Sequence, residues 1–139
     1  MENNPLISVV TVSYNAVSTI EQTILSVINQ TYPNVEYIII DGGSTDGTVD
    51  IIKKYEDKIA YWVSEPDKGI YDAMNKGIQK ANGEWINFMN AGDLFASTMI
   101  LQQMLDAIKP GVRILRGNII RIYPKFRVKS VGVTAQNPS

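Results

Sequence analysis

Residues 7–15 read ISVVTVSYN, and the fold turns on how they are taken. Ile7 to Val12 is a short, apolar, β-branched run, the pattern of a strand buried on both faces. Ser13-Tyr14-Asn15 then interrupts it. A dinucleotide-binding fold places G-x-G-x-x-G after its first strand, and a P-loop places G-x-x-x-x-G-K-[ST] there. Neither motif is present, and the paired acids of a receiver domain are missing too. The three residues offer a hydroxyl, an aromatic face and an amide, which suit stacking on and hydrogen-bonding a flat base.

Outward from this strand, apolar patterns of two periods alternate. Ile20, Ile24, Val27 and Ile28 recur at helical spacing, so Ser18 to about Gln30 is expected as a helix, opened by a Ser18–Glu21 capping box. Val35 to Ile40 (VEYIII) is a second strand. Asp46 is placed to cap a helix carrying Val49, Ile52 and Tyr55 on one face. Ile59 to Val63 reads as a third strand. A helix over Gly69 to Ala81 carries Ile70, Met74, Ile78 and Ala81 at helical spacing and stops at Gly83. Trp85 to Met89 is a fourth strand, and Ser97 to Ile108 a helix stopped by Lys109-Pro110-Gly111. A fifth strand is expected over Val112 to Ile120, and Phe126, Val128 and Ser130 alternate weakly with basic residues. This order implies an α/β fold, a mostly parallel sheet with helices on both faces. Ligands of such sheets bind at the carboxyl ends of the strands, where strand order switches.

The chain of 139 residues fits one domain, and 45% hydrophobic against 19% charged residues marks it as globular. Thirteen basic and fourteen acidic residues nearly cancel, which gives no nucleic-acid footprint. From Arg113 onward six bases (Arg113, Arg116, Arg121, Lys125, Arg127, Lys129) meet no acid. That run reads as a solvated tail or as a contact for anionic lipid or a phosphorylated substrate. With neither cysteine nor histidine, thiolate metal sites and Ser-His-Asp catalysis are excluded, so proton transfer falls to carboxylates. The N-terminus has no signal-peptide pattern and no run approaches a spanning helix, so a soluble cytoplasmic protein is expected.

Four loops at the strand ends carry the candidate chemistry. In Asp41-Gly42-Gly43-Ser44 the carboxylate is suited to a base N–H or ribose hydroxyls, and the glycines permit close approach of a ligand; a capping turn explains the stretch equally well. It is no EF-hand, because Asp46 stands where that loop needs glycine. Asp67, Lys68 and Gly69 precede a helix whose N–H groups suit a phosphate, and Asp72, Asn75, Lys76 and Gln79 form its polar side. Gly69 and Gly77 in one helix fit a plain surface helix poorly, since an interior glycine costs about 1 kcal/mol against alanine. In Asn90-Ala91-Gly92-Asp93, one acid beside a small-residue bend suits Mg²⁺ or Mn²⁺ shared with a diphosphate.

Taken together, these residues resemble the inverting family 2 glycosyltransferases of the GT-A fold. The match runs from Pro5 to Asn118 through "VSYN", "SVINQTYPNVEYIIIDGGSTDGT" and "EPDKGIYDAMNKGIQKANGEWINFMNAGDLF", with residues 119–139 as a tail. The resemblance implies a donor site for a UDP- or GDP-linked sugar, a divalent metal, and a polysaccharide or glycolipid acceptor. It further implies peripheral contact with the inner face of the membrane, and a homo-oligomer is expected. By matching position, Tyr14 stacks near the base, Asp41 bonds base or ribose, Asp72 and Asn75 line the sugar, and Asp93 holds the metal. Ser13, Asn15, Gly43, Ser44, Asp67, Lys68, Gly69, Asn90, Ala91 and Gly92 complete the donor site.

Three departures stand out. Gly42 replaces the second acid of the family's Asp-Asp pair, and Asn90 and Gly92 stand where acids are common in its D-x-D motif. Members of the family also continue into an acceptor-binding half that carries the general base. The only acid after Asp93 is Asp106, expected to face solvent, so no base is assigned. The expectation is therefore the donor-binding half of a transferase, with a non-catalytic nucleotide-sugar-binding module and a plain structural domain as alternatives.

Overall fold

Successive residues of a strand point to opposite faces of its sheet, and here both sets are apolar. Ile7 and Val9 of β1 (Ile7–Ser13) bury one face, Val10 and Val12 the other. The same division runs through β2 (Val35–Asp41) and β4 (Trp85–Phe88). A sheet greasy on both sides needs helices on both, and the chain supplies them. The computed structural model describes residues 5–107, 119–123 and 127–128. Helices α1 (Ile20–Ile28), α2 (Thr48–Lys54) and α4 (Ile100–Ala107) cover the first face with Ile20, Ile24, Val27, Ile52 and Leu101. Helix α3 (Ile70–Lys80) covers the second with Ala73 and Met74. Among the described residues no helix is long and apolar enough to cross a membrane.

With β3 (Tyr61–Ser64), β5 (Ile119–Tyr123) and β6 (Arg127–Val128), the sheet order is β3-β2-β1-β4-β5-β6. Strands β3, β2, β1 and β4 are parallel, whereas β5 and β6 are antiparallel to their neighbours. The order reverses between β1 and β4, so the loops after these strands flank the switch point.

Several boundaries differ from expectation. Helix α1 opens at Ile20 with Thr19 at its N-cap, where Thr19 and Ile20 N–H both donate to Ala16 O, so the Ser18–Glu21 capping box does not form. Glu21 instead accepts from Tyr55 Oη and Lys54 Nζ on the neighbouring helix. The N-cap of α2 is Gly47, at φ +108°, and not Asp46, which lies one residue ahead and accepts from Thr48 N–H at 3.0 Å and the Thr48 hydroxyl at 2.6 Å. Ile59 is buried ahead of β3 and is not part of it. Ile70, at helical spacing from the buried Met74, is itself 48% exposed. The fifth strand, described over Ile119–Tyr123, runs antiparallel, as edge strands of mixed sheets often do. Residues 112–118, the stop at Lys109-Pro110-Gly111, and Arg113, Arg116, Lys125, Phe126, Lys129 and Ser130 lie outside the described residues.

Two glycines are explained by packing. A Cβ on Gly77 would lie 2.5 Å from Val10 Cγ1, so α3 sits this close to β1 only without a side chain there. Gly83 does not end α3, which leaves helical geometry at Ala81; it lets the chain pass β1, where a Cβ would lie 2.7 Å from Ser8 N and 2.8 Å from Leu6 O. Gly77→Ala should therefore lower the urea midpoint. The helix-propensity gain of about 1 kcal/mol is outweighed by overpacking of about 1–3 kcal/mol. Gly83→Ala, which meets backbone and not a movable methyl, should fall further. A raised midpoint for Gly77→Ala would show that α3 is not seated on Val10.

Candidate functional site

At the carboxyl edge of the sheet the register places Ser13, Asp41 and Ser64 side by side on β1, β2 and β3. Both serines donate their hydroxyl protons to the central carboxylate, Ser13 to Oδ1 at 2.7 Å and Ser64 to Oδ2 at 2.8 Å. The β2–α2 loop curls back to add three more donors. Ser44 Oγ donates to Oδ1 at 2.7 Å, and Gly43 and Ser44 N–H donate to Oδ2 at 3.1 and 2.8 Å. Asp41 is fully buried. Burial by itself pushes its carboxyl up, but the hydrogen bonds from Ser13, Ser44 and Ser64 outweigh it and hold the group below the usual carboxylate range. Sequence reading gives Asp41 to base or ribose. In the structure five protein donors meet its oxygens, so Asp41 also ties together the loops around it.

The first two loops are also stitched together directly. Asn15, at φ +47°, donates its N–H to Ser44 Oγ at 2.7 Å and accepts from Thr45 N–H at 2.9 Å through Oδ1. Ala16 N–H donates to Thr48 Oγ1, and Val17 N–H to Asp46 Oδ2. Of the hydroxyl, ring and amide expected to meet a base, the hydroxyl and the amide oxygen are thus committed internally. The ring of Tyr14, 65% exposed, remains available.

In the β3–α3 loop, Asp67 Oδ1 accepts from Gly69 N–H and Asp72 Oδ2 reaches back to Lys68 N–H, each at 3.0 Å. The other oxygen of Asp67 lies over Gly42, where an added Cβ would approach it to 3.0 Å. A second acid after Asp41 would collide with this carboxylate, which accounts for glycine at position 42. Lys76 is ion-paired to Glu65 at 3.0 Å.

Beyond β4, Ala91 N–H donates to Val12 O at 3.0 Å and Asp93 N–H closes a turn onto Asn90 O at 2.9 Å. Gly92 takes φ +102° in this bend, which a side chain would strain. Asp93 is exposed, and among the described residues no side chain pairs with its carboxylate. Asn90 Oδ1 is buried with no hydrogen-bond partner. No group of three or more His, Cys, Asp or Glu able to hold a metal comes together among the described residues. One exposed carboxylate fits a hard cation whose remaining ligands come from a bound phosphate.

A cleft of about 760 Å³ opens at the switch point between these loops. Of the expected site residues, Ser13, Tyr14, Asp67, Gly69, Asn90 and Ala91 line it. Asp41, Asn15, Gly43 and Ser44 lie behind the lining as its frame, and Gly92 and Asp93 continue from its Asn90–Ala91 wall. Lys68, Asp72 and Asn75 stand outside the lining around the start of α3. Sequence reading missed the apolar part: Val12, Ala16, Pro66, Ile70 and Ala73. The exposed Ile70 gives no periodic signal of this, since its spacing from Met74 and Ile78 is that of a core residue. Thr23 and Ser26 of α1 and Gln30 just beyond it were also missed; their polar row beside the apolar one was the available signal, and all three hydrogen-bond the segment after β4.

A family model described as "Glycosyl transferase family 2" matches residues 8–133. A glycosyltransferase of Mycobacterium tuberculosis (strain ATCC 25618 / H37Rv) is 40% identical over 109 residues, 78% of this chain and 42% of its own. The Escherichia coli UDP-Glc:alpha-D-GlcNAc-diphosphoundecaprenol beta-1,3-glucosyltransferase WfaP is 38% identical over 100 residues, 71% of this chain and 40% of its own. The chain thus spans about two fifths of the length of these relatives. Among solved structures, the mannosyltransferase PcManGT from Pyrobaculum calidifontis, in complex with GDP-Man and Mn²⁺, superposes with TM-score 0.73 at 24% identity. The match covers 82% of this chain and 36% of that one, and it shows a shared fold.

Asp41→Asn replaces one acceptor oxygen with an NH₂ that faces donors. It should destabilise the protein by about 2–3 kcal/mol at neutral pH, the scale of hydrogen bonds to a charged group. Because the folded carboxyl is held below its unfolded value of about 3.9, its contribution is complete above that value and lost as pH falls through the folded one. The stability gap between wild type and Asp41→Asn, read from urea unfolding at about pH 7 and about pH 2.5, should therefore narrow in acid. A gap that stays constant would remove Asp41's charge from the account.

Proposed function

The chain belongs to glycosyl transferase family 2, and on that footing we propose that it is the nucleotide-sugar-binding part of a glycosyltransferase. The observation that carries this reading is the cleft at the switch point. A frame of hydrogen-bonded loops holds the exposed Tyr14 on its lining and, just past its Asn90–Ala91 wall, Asp93, whose carboxylate pairs with no side chain among the described residues. The spacing of functions suits a nucleoside diphosphate sugar: Tyr14 stacks on the base, Asp67 faces its polar edge, and Asp93 stands beside the diphosphate. The metal bound in the PcManGT complex supports a divalent cation here, held by Asp93 and the donor's own phosphate oxygens, with Asn90 Oδ1 beside them. Such a cation supplies charge neutralisation to the departing diphosphate. The chain's own residues bind and orient: the apolar lining excludes water from the sugar, and the loops hold the donor in place for an acceptor oxygen to attack.

UDP is the donor nucleotide we favour, because WfaP, at 38% identity, bears a UDP-glucose name. That name includes a lipid-linked acceptor, which supports a polysaccharide or glycolipid acceptor and a cytoplasmic site at the membrane surface. The general base belongs to the acceptor half of such an enzyme, and none is assigned among the described residues.

Calorimetric titration should show UDP binding strengthened by Mn²⁺, with the Mn²⁺-dependent part lost in Asp93→Ala. Tyr14→Ala should weaken UDP about tenfold with and without the metal, since stacking on one base is worth about 1–3 kcal/mol. Mn²⁺-dependent release of UDP from a UDP-sugar marks a transferase, and binding without release marks a binding module. Absence of binding to any UDP-, GDP- or dTDP-sugar would sink the donor-site reading.

A further inference from the structure

Helix α1 has two jobs on adjacent stripes. Ile20, Ile24 and Val27 pack into the core, while Thr23, Ser26 and Gln30 take hold of the segment that follows β4. Thr23 is fully buried, and its hydroxyl spans the bend from both sides: it accepts from Gly92 N–H at 2.9 Å and donates to Asp93 O at 2.9 Å. The other carbonyl in reach, Thr19 O, is at 3.4 Å, so the proton goes to the bend. Further along, Ser26 Oγ accepts from Phe95 N–H at 3.3 Å. Gln30, two residues past the end of α1, donates to Ser97 O at 2.6 Å and accepts from Leu101 N–H at 3.0 Å in the first turn of α4. Between Ala91, fixed on β1, and Phe95, Thr23 is the only described side chain that holds the backbone carrying Asp93. A buried hydroxyl in a helix interior is unfavourable unless both of its capacities are used. Here both are used, on the N–H of the residue before the acid and the carbonyl of the acid-bearing residue itself.

We infer that Thr23 is a positioning residue, whose hydroxyl sets where the Asp93 carboxylate stands relative to the donor's diphosphate. This rests on the donor-site reading above. It separates two tasks: the loops framed by Asp41 place the base, and α1 places the acid.

The test uses the whole chain with three variants. Thr23→Val keeps shape and removes the hydroxyl, Thr23→Ser keeps the hydroxyl, and Thr23→Ala serves if the valine variant does not melt cooperatively. Two quantities are read: amide hydrogen exchange at Gly92, and UDP affinity with and without Mn²⁺. Loss of the hydroxyl should speed exchange at Gly92 and leave the β1 amides protected. It should weaken Mn²⁺-dependent UDP binding about five- to tenfold, the scale of one or two hydrogen bonds. Metal-free UDP affinity should hold, and Thr23→Ser should restore both readings. Unchanged Gly92 exchange, or UDP and Mn²⁺ bound as tightly as by wild type, overturns the role of Thr23 alone. A wild type that shows no Mn²⁺-dependent UDP affinity overturns the donor-site reading, and this role with it.

Discussion

A buried carboxylate with no cation beside it among the described residues is the constraint on which the carboxyl edge of this sheet depends. Burying a charge is expensive unless its oxygens are satisfied, and Asp41 is satisfied by three hydroxyls and two peptide N–H groups drawn from β1, β3 and the β2–α2 loop. Each partner must be in place for the charge to be tolerated, so the strand ends and the loop are specified together. The cleft wall inherits that rigidity, and the Asn15, Asp46 and Thr48 contacts extend it to the first loop. Such pre-organisation lowers the entropy lost when a ligand is held.

The architecture was legible because it rests on local periodicity. Ile7–Val12, Val35–Ile40 and Trp85–Met89 are apolar at most positions on both faces, a pattern that fits strands covered on both sides, and the helices between them show clear apolar rows. The four loops followed from that order. What escaped reading depends on contacts between distant residues. Ser13 and Ser64 meet Asp41 because the three are in register, and nothing near Asp41 in the chain announces either serine. Ile70 keeps helical spacing with Met74 and is still 48% exposed on the cleft lining, which spacing alone does not reveal. Ser18 and Glu21 have the spacing of a capping box, yet Tyr55 and Lys54 across the α1–α2 contact claim the glutamate.

The glycines show the same division. Gly92 carries a local signal, a small residue in a bend ahead of an acid. Gly77 and Gly83 carry none, because each is required by the approach of another segment, Val10 in one case and the Leu6–Ser8 backbone in the other. A glycine that seemed out of place in a helix proves to mark the seam between α3 and the sheet. Position 42 follows the same logic with a polar neighbour, since the Asp67 carboxylate occupies the space a side chain would take.

The serines around Asp41 also have an outward side. A hydroxyl has one proton, and Ser13, Ser44 and Ser64 each spend theirs on the carboxylate. Toward anything else they present lone pairs alone, and Ser44 already uses one to accept from Asn15 N–H. Ser13, which lines the cleft, is therefore polarised in one sense, as an acceptor. That part of the floor attracts N–H and O–H groups and repels phosphate oxygens. The buried charge thus acts on the cleft without being seen from it: by fixing the direction of hydroxyl dipoles, it sorts the ends of an entering molecule by hydrogen-bond polarity.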